Sequence, residues 1–411
     1  MSLNFSSLHS ASPEELVEIA GNYGITADIA LGRQGLIRAI LQAYGQQNQV
    51  RIGHGVLEVH GEGFGFLRSA TNNYLPGEGD IYVSQSQIRR FKMRTGDSVI
   101  GQVRAPKAGE NFEALLRVET LNGQDPSNDP DFKPITFDQL TSVYPDDRID
   151  LWQNPFLRAI DYVAPMGLGQ RAIIQIPPRT GKHKLLRALV HTLAGEEDLQ
   201  VTILLVGERP EEIHTWRAAH EVEVIATPFD ETWARHLQVA EIVFERARRQ
   251  VEQGENVVLV VDSLSRLLRA CIAEIPSTGR DIGGVDAAAL HRLRRYMGAA
   301  RAIQEGGSLT IIGLVGEGAT ARADRVLYED LRDVANWEVV LARDVADRGI
   351  FPPIDVRHSG TLREDLLLTP EEQTERGAWR RALTGDHLED AAKLLERLAG
   401  GALDSSGPSG H

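Results

Sequence analysis

The chain is 411 residues long and contains one cysteine, Cys271. One thiol can neither close a disulfide within the chain nor build a cysteine-based zinc site, so on its apolar helical stretch Cys271 reads as a small core residue. Long apolar runs are missing as well. None approaches the roughly 20 residues that a membrane span needs, and the opening MSLNFSSLHS has neither the charged start nor the apolar middle of an export signal. These absences predict a cytoplasmic protein without a membrane partner. Positive charge is also in deficit: 44 Lys and Arg face 58 Asp and Glu, a net charge of -14. That excludes a large, uniformly basic nucleic-acid surface and leaves room only for a local basic groove.

What is present suffices for more than one core, since 42% of the residues are hydrophobic. Residues 1–48 read as a helical module. Ser12-Pro13-Glu14-Glu15 is a helix start, with Ser12 as N-cap, Pro13 at the first helical position and Glu15 completing a capping box. Leu36, Ile37, Ile40, Leu41 and Tyr44 repeat at helical spacing.

Over residues 49–119 the pattern changes to short alternating runs punctuated by turns, as in GVLEVHGEGFGFLRS, which predicts a small antiparallel, OB-like barrel. Phe64, Phe66 and Tyr82 stand among turn glycines and near Arg68, Arg89, Arg90 and Lys92. Rings interleaved with cations are what such barrels use to stack unpaired bases and neutralise phosphates. Phe64, between Gly63 and Gly65, is expected to be exposed; Phe66 suits a core position or a ligand face equally.

Residues 120–136 are rich in Asn, Asp, Pro and Gly and read as a linker. From 137 to 395 the apolar runs AIIQI, VTILLV, VVLVVDS, SLTIIGLV and WEVVLA alternate with helical stretches. Such alternation predicts a parallel sheet with crossover helices and a ligand at the strand C-termini. The tail 396–411 has too little apolar content to pack.

The stretch AIIQIPPRTGKHKLL runs from strand through a Pro-broken turn into a helix opening at Gly181-Lys182. Free amides at a helix N-terminus carry partial positive charge, and with the Lys182 ammonium they make a phosphate cradle. The pattern G-x-x-x-x-G-K-[ST] is broken twice: Ile176 stands at the first glycine and His183 at the hydroxyl. Asp262 ends the run VVLVVD, where it either orients Mg2+ or caps the next helix. Glu208 ends LLVGE and is placed to polarise a water. His183 is a poor Mg2+ ligand, because that ion prefers oxygen, and it reads as a solvated or loop-packing side chain.

With these residues in view, the chain resembles the transcription termination factor Rho family. The resemblance runs from about residue 10 to 395 through GFGFLRSATNNYLPGEGDIYVSQSQIRRFKMRTGD, PMGLGQRAIIQIPPRTGK, ERPEEI, FDETWARHLQVAE, VVDSLSRLLRA, GGVDAAALHRLRRY and FPPID. It implies an OB-like domain followed by a RecA-like P-loop domain, assembled as a homohexamer. The partners it implies are pyrimidine-rich single-stranded RNA and the RNA polymerase elongation complex; the cofactors are ATP and Mg2+. By position, Phe64, Phe66, Arg68, Tyr82 and Glu110 fall at the primary RNA site, while Gly283, Gly284, Val285 and Arg322 fall on loops of a central channel. Gly167, Leu168, Gly169, Gln170, Arg171 and Ala172, then Arg179, Thr180, Gly181, Lys182, His183 and Lys184, with Arg209, fall around the nucleotide. Phe351 would stack on adenine, Glu208 would activate water and Asp262 would serve the metal.

The departures cluster where hydrolysis happens. Where the family has PPKAGKT, this sequence has PPRTGKH, and Gly207 replaces an acid just before Glu208. An interface arginine that would stabilise the transferring phosphate is Leu362 here, with Arg363 displaced by one, and a second is Gly349 beside Arg348. The resemblance therefore implies an RNA-dependent ATPase that releases transcripts. The substitutions imply a ring that binds RNA and nucleotide with little turnover.

Overall fold

The computed structural model describes residues 3, 5–26, 32–126, 133–196, 198–219, 222–316 and 322–400. Part of the expected linker, 127–132, and 401–411 of the expected tail lie outside the described residues, whereas 396–400, assigned to that tail, complete a helix (His387–Gly400). After a single helical turn (Ser7–Ser10), helix α1 (Pro13–Asn22) opens on the expected capping box. The Glu15 N–H donates to Ser12 Oγ at 3.2 Å and the Ser12 N–H to Glu15 Oε2 at 2.8 Å. Leu16 and Ala20 of α1 pack with Leu36, Ile40 and Leu41 of α2 (Gly32–Asn48), and Ile100 joins the same cluster. Each buried Leu or Ile there contributes about 1.5–3 kcal/mol.

Five strands then close a barrel in the order β1-β2-β3-β5-β4: β1 (Ile52–Val59), β2 (Gly65–Arg68), β3 (Ile81–Val83), β4 (Ser98–Arg104) and β5 (Glu113–Leu121). Neighbours are antiparallel except β3 and β5. Alternation sends Leu57, Leu67, Ile81, Val83, Val99 and Leu115 inward. The register pairs Phe66 with Tyr82 across β2 and β3, which sets both rings on the other face. Helix α3 (Gln85–Phe91), started by a second capping box on Ser84, follows β3.

Further along come β6 (Arg171–Gln175), α4 (Lys182–Ala194), β7 (Leu199–Glu208), α5 (Pro210–Ala219), β8 (Glu223–Pro228) and α6 (Trp233–Val251). They are followed by β9 (Asn256–Asp262), α7 (Leu264–Glu274), α8 (Ala287–Met297), β10 (Ser308–Val315), α9 (Arg322–Arg332) and β11 (Trp337–Val340). The chain divides into two compact units, one of residues 1–140 with 204–254, the other of 141–203 with 255–411.

In the second unit β9 pairs with β10, β10 with β6 and β6 with β11, all parallel. Every residue of β10 is buried, as a strand covered on both faces requires. The expected fold class, OB-like barrel and then parallel α/β domain, is thus what the chain adopts.

In the first unit the barrel seats directly on α5, β8 and α6. Asn73 Oδ1 accepts from Arg217 Nη2 at 2.6 Å and from the Ala226 N–H at 2.9 Å. The wholly buried Tyr74 receives Arg246 Nη1 on its hydroxyl at 2.6 Å. Gly96 has φ of 92°, and a Cβ there would lie 2.5 Å from the carbonyl carbon of Glu245 in α6. Only glycine allows that approach.

Candidate nucleotide site and RNA-binding face

The Ile176 N–H donates to Val315 O at 2.9 Å and its side chain is buried, so the residue standing at the missing glycine prolongs the sheet core. Thr180 is buried, and its hydroxyl donates to Pro177 O at 2.7 Å, which ties the loop to itself. Arg179 and Gly181 take positive φ, 63° and 85°. A Cβ on Gly181 would sit 3.4 Å from the Phe351 ring, so ring and loop already touch. Lys182 Nζ donates to both oxygens of the buried Asp262, at 3.1 and 3.0 Å. Lys184 Nζ hovers 4.7 Å from the Phe156 ring centroid and 6.0 Å from that of Phe351, while His183 is exposed. Residues 179–184, Asp262 and Phe351 therefore converge on one mouth at the strand C-termini.

Gly167 to Ala172 do not join them within this chain. Arg171 and Ala172 already lie in β6, and the three strand residues after them separate the segment from the loop by roughly 10 Å at strand rise. Its polar groups are spent locally: the Gly167 N–H on Gln170 Oε1 at 3.0 Å, Leu168 N–H on Asp147 O at 2.8 Å and Gly169 N–H on Thr310 Oγ1 at 2.8 Å. A Cβ on Gly169 would lie 2.2 Å from Ala302 N. Arg171 donates to Val334 O at 2.6 Å and Ala300 O at 3.1 Å, and burial lowers its pKa. The segment braces the entry of β6.

Glu208 and Arg209 belong to the first unit, at the end of β7. Glu208 is buried; its Oε1 accepts from the Arg209 N–H at 3.0 Å and its carbonyl from the Phe229 N–H at 3.0 Å. In the second unit Arg363 is engaged by its own chain. Its Nε donates to Asp365 Oδ1 at 3.0 Å and its guanidinium covers Tyr144 at 4.9 Å, whereas Leu362 is 64% exposed.

Asp281–Ile282 and Val285–Asp286 form a hairpin, turned by Gly283 and Gly284 at φ of 61° and 95°. Two consecutive positive φ values make the type I′ turn that suits a tight hairpin. A Cβ on Gly284 would lie 3.2 Å from Arg322 Nε, so the expected channel residues meet.

On the barrel Phe64, Phe66 and Tyr82 form one aromatic face, with centroids 5.8 Å (Phe64–Phe66), 5.8 Å (Phe64–Tyr82) and 6.0 Å (Phe66–Tyr82) apart. Two further rings belong to it that the sequence reading passed over. His60 stacks on Phe64 at 5.3 Å with 11° between planes, and Phe112 meets Phe66 edge-on at 5.0 Å. His60 directly follows β1, two residues after Glu58, and continuing the strand's period of two past its end was the available signal. Phe64, expected to be exposed, is only half-buried by these neighbours.

Arg68 departs further from expectation. It is 4% exposed, paired with Glu58 at 2.7 Å and with Asp80, and its guanidinium lies 5.0 Å from the Phe66 centroid. It supports the face from within. Glu110 pairs with Arg104 at 2.5 Å; that hydrogen bond, with the Lys107 N–H, holds its pKa down to about 2.

Among the described residues no group of three or more His, Cys, Asp or Glu could hold a metal, and no helix is long and apolar enough to cross a membrane. The fold and sites define a class: an oligonucleotide-binding barrel joined to a P-loop α/β nucleotide-binding domain. Residues 53–127 match the Rho termination factor RNA-binding domain, and 157–361 match the nucleotide-binding domain of the ATP synthase alpha/beta family. The chain is 41% identical over 378 residues to transcription termination factor Rho of Escherichia coli (strain K12), covering 90% of each chain. To that of Bacillus subtilis (strain 168) it is 42% identical over 402 residues, 96% of this chain and 93% of that one. It belongs to the transcription termination factor Rho family.

Two solved structures share the fold. A prototypical ATPase from the type III secretion system of pathogenic bacteria matches with TM-score 0.52 and 22% identity, covering 63% of this chain and 82% of that one. An ATP synthase subunit of Nanoarcheaum equitans matches with TM-score 0.52 and 13% identity, covering 63% and 78%.

Proposed function

We propose that this protein is an RNA-dependent ATPase of the Rho type. It works as a homohexameric ring that holds pyrimidine-rich single-stranded RNA, moves along it at the cost of ATP and releases the transcript from the RNA polymerase elongation complex. The observation that carries ATP use is the Lys182–Asp262 pair beside Phe351, at the mouth of a loop whose left-handed Gly181 opens a helix N-terminus. Those residues fit a nucleoside triphosphate. Lys182 and the loop amides would take the phosphates and Phe351 the base. Asp262 would serve Mg2+, which fits less well because His183 supplies nitrogen where that ion prefers oxygen; bound with the nucleotide, the ion would neutralise phosphate charge. Glu208 would orient the attacking water. Gly167 to Ala172 enter this reading as braces of β6.

RNA capture rests on the open face of Phe64, Phe66 and Tyr82, with His60 and Phe112 extending it. Stacking there contributes about 1–3 kcal/mol per base and tolerates many sequences.

A second reading is favoured by Arg363, clasped by Asp365 and Tyr144, and by the exposed Leu362. Lacking that charge on the transition state, the ring would bind nucleotide and RNA while turning over slowly, as a regulator. ATP turnover with and without a cytidine oligonucleotide, measured beside nucleotide affinity, separates the two. RNA-stimulated turnover that Lys182→Ala abolishes supports the motor; tight binding of both ligands without turnover supports the regulator.

A further inference from the structure

Two short runs of polar contacts, joined through the backbone of α6, lead from the barrel's aromatic face to the strand end that carries Glu208, entirely inside the first unit. The first begins beneath Phe66, where the Arg68 guanidinium packs 5.0 Å from the ring centroid. Arg68 Nε donates to Glu58 Oε2 at 2.7 Å, and Glu58 Oε1 accepts from Gln238 Nε2 of α6 at 2.7 Å. The Gln238 amide is gripped on its other side, since Arg235 Nη1 donates to its oxygen at 2.9 Å. Two residues earlier on the same helix, the buried His236 sets Nδ1 2.7 Å from Thr227 Oγ1. That hydroxyl accepts from the Gly207 N–H at 3.5 Å, one residue before Glu208. The turn between β8 and α6 is tied to the same place, because the Phe229 N–H donates to Glu208 O at 3.0 Å.

The side-chain links from Arg68 to Thr227 are 2.7–2.9 Å long, and the longer Gly207 contact is backed by the Phe229 N–H on Glu208 O, so a displacement at one end is not absorbed by loose side chains. Arg68 is held by two carboxylates and cannot swing away when a base presses on Phe66. Its movement would be handed to Glu58, and from there to the first turns of α6. From one helix face Gln238 answers to the barrel; from another His236 answers to β7 and β8.

We propose that the first two turns of α6 couple RNA on the barrel face to the setting of Glu208, with Gln238 and His236 as positioning residues. The inference rests on the function proposed above, in which bases stack on this face and Glu208 polarises water. It explains why a polar amide is kept at a site where a hydrophobic side chain would pack barrel against helix more simply.

The test is amide hydrogen exchange on the full-length protein over 204–210 and 226–240, with and without a cytidine oligonucleotide, beside the oligonucleotide's Kd. In the unaltered protein, saturating oligonucleotide slows exchange over 204–210 by about fivefold or more, the lower end of ordinary coupling between sites. In Gln238→Leu that response is lost while Kd stays within about twofold. Combining Glu58→Gln with Gln238→Glu rebuilds the contact with its donor and acceptor exchanged, and restores the response. The proposal is overturned if Gln238→Leu keeps the full response, or if RNA binds the unaltered protein and leaves 204–210 unchanged. A loss of oligonucleotide affinity in Gln238→Leu of the same size as in Phe66→Ala also overturns it, since Gln238 would then merely hold the face together. Failure of the unaltered protein to bind RNA is a separate result, which removes the proposed function itself.

Discussion

Arg68→Met separates two roles that an arginine beneath an RNA-binding face can play. The guanidinium is 4% exposed between Glu58, at 2.7 Å, and Asp80, itself 4% exposed. Methionine keeps the length and removes the charge, leaving two carboxylates facing each other in the barrel wall. Breaking a buried pair costs about 3–5 kcal/mol. Glu58 keeps its bond from Gln238 and Asp80 keeps the Gly77 N–H at 2.8 Å, which places the loss at the lower end, about 3 kcal/mol. Amide exchange in β1 and β2 should then quicken roughly 150-fold, at 1.36 kcal/mol per decade. RNA affinity is measured in parallel against salt, at a temperature where the variant stays folded. A phosphate contact would lower the slope of log K against log salt by about 0.7 on a single strand; the buried position predicts an unchanged slope. A slope reduced by that amount, with exchange in β1 and β2 altered less than about threefold, would refute the supporting role.

Lys182→Ala should weaken binding of an ATP analogue by at least about tenfold in calorimetry, because the phosphates lose a charge and Asp262 is left buried without that partner. Gly96→Ala should destabilise the first unit by about 2 kcal/mol or more in denaturant unfolding, since its Cβ meets the α6 backbone. Gly254→Ala, also at positive φ but with open space around it, should cost only about 1–2 kcal/mol of backbone strain. Burial, aided by Arg38, lowers the pKa of His54 to about 4. A lowered folded pKa means the unfolded chain takes the proton first, so stability is whole above about pH 6.5 and falls by about 3 kcal/mol by pH 4. Melting temperature followed over that range should show a shallower acid limb in His54→Leu. His183→Thr together with Leu362→Arg should raise ATP turnover by more than the product of the separate effects. Independent small effects in a steady-state assay would contradict the reading in which these two substitutions together limit hydrolysis.

Patterns local to the chain were legible in the sequence. The Ser12–Glu15 capping box needs only neighbours three residues apart, and β6, β7, β9, β10 and β11 declare themselves as apolar runs. β8 was passed over because EVIATP offers just three consecutive apolar residues between polar ones. The aromatic face was visible in part, since Phe64, Phe66 and Tyr82 cluster in sequence or pair in register. The burial of Arg68 was not, because Glu58 and Asp80 reach it from other strand and loop positions. Nor does the pattern around Gly167 to Ala172 reveal that strand length keeps it from the phosphate loop. Spacing gives direction along one element; it carries no information about which distant segment closes over it.

The assembly of the first unit from residues 1–140 and 204–254 limits how the protein can be dissected. A fragment cut after Leu140 would retain every barrel strand yet forfeit Arg217, Gln238 and Arg246, the side chains that clamp Asn73, Glu58 and Tyr74. Its phenol at Tyr74 would face solvent, and the groove opposite Gly96 would be vacant. Measurements on such a truncated piece would report a loosened relative of the RNA-binding face, and proteolytic nicking within 204–254 should disturb oligonucleotide capture at a site far away in the chain.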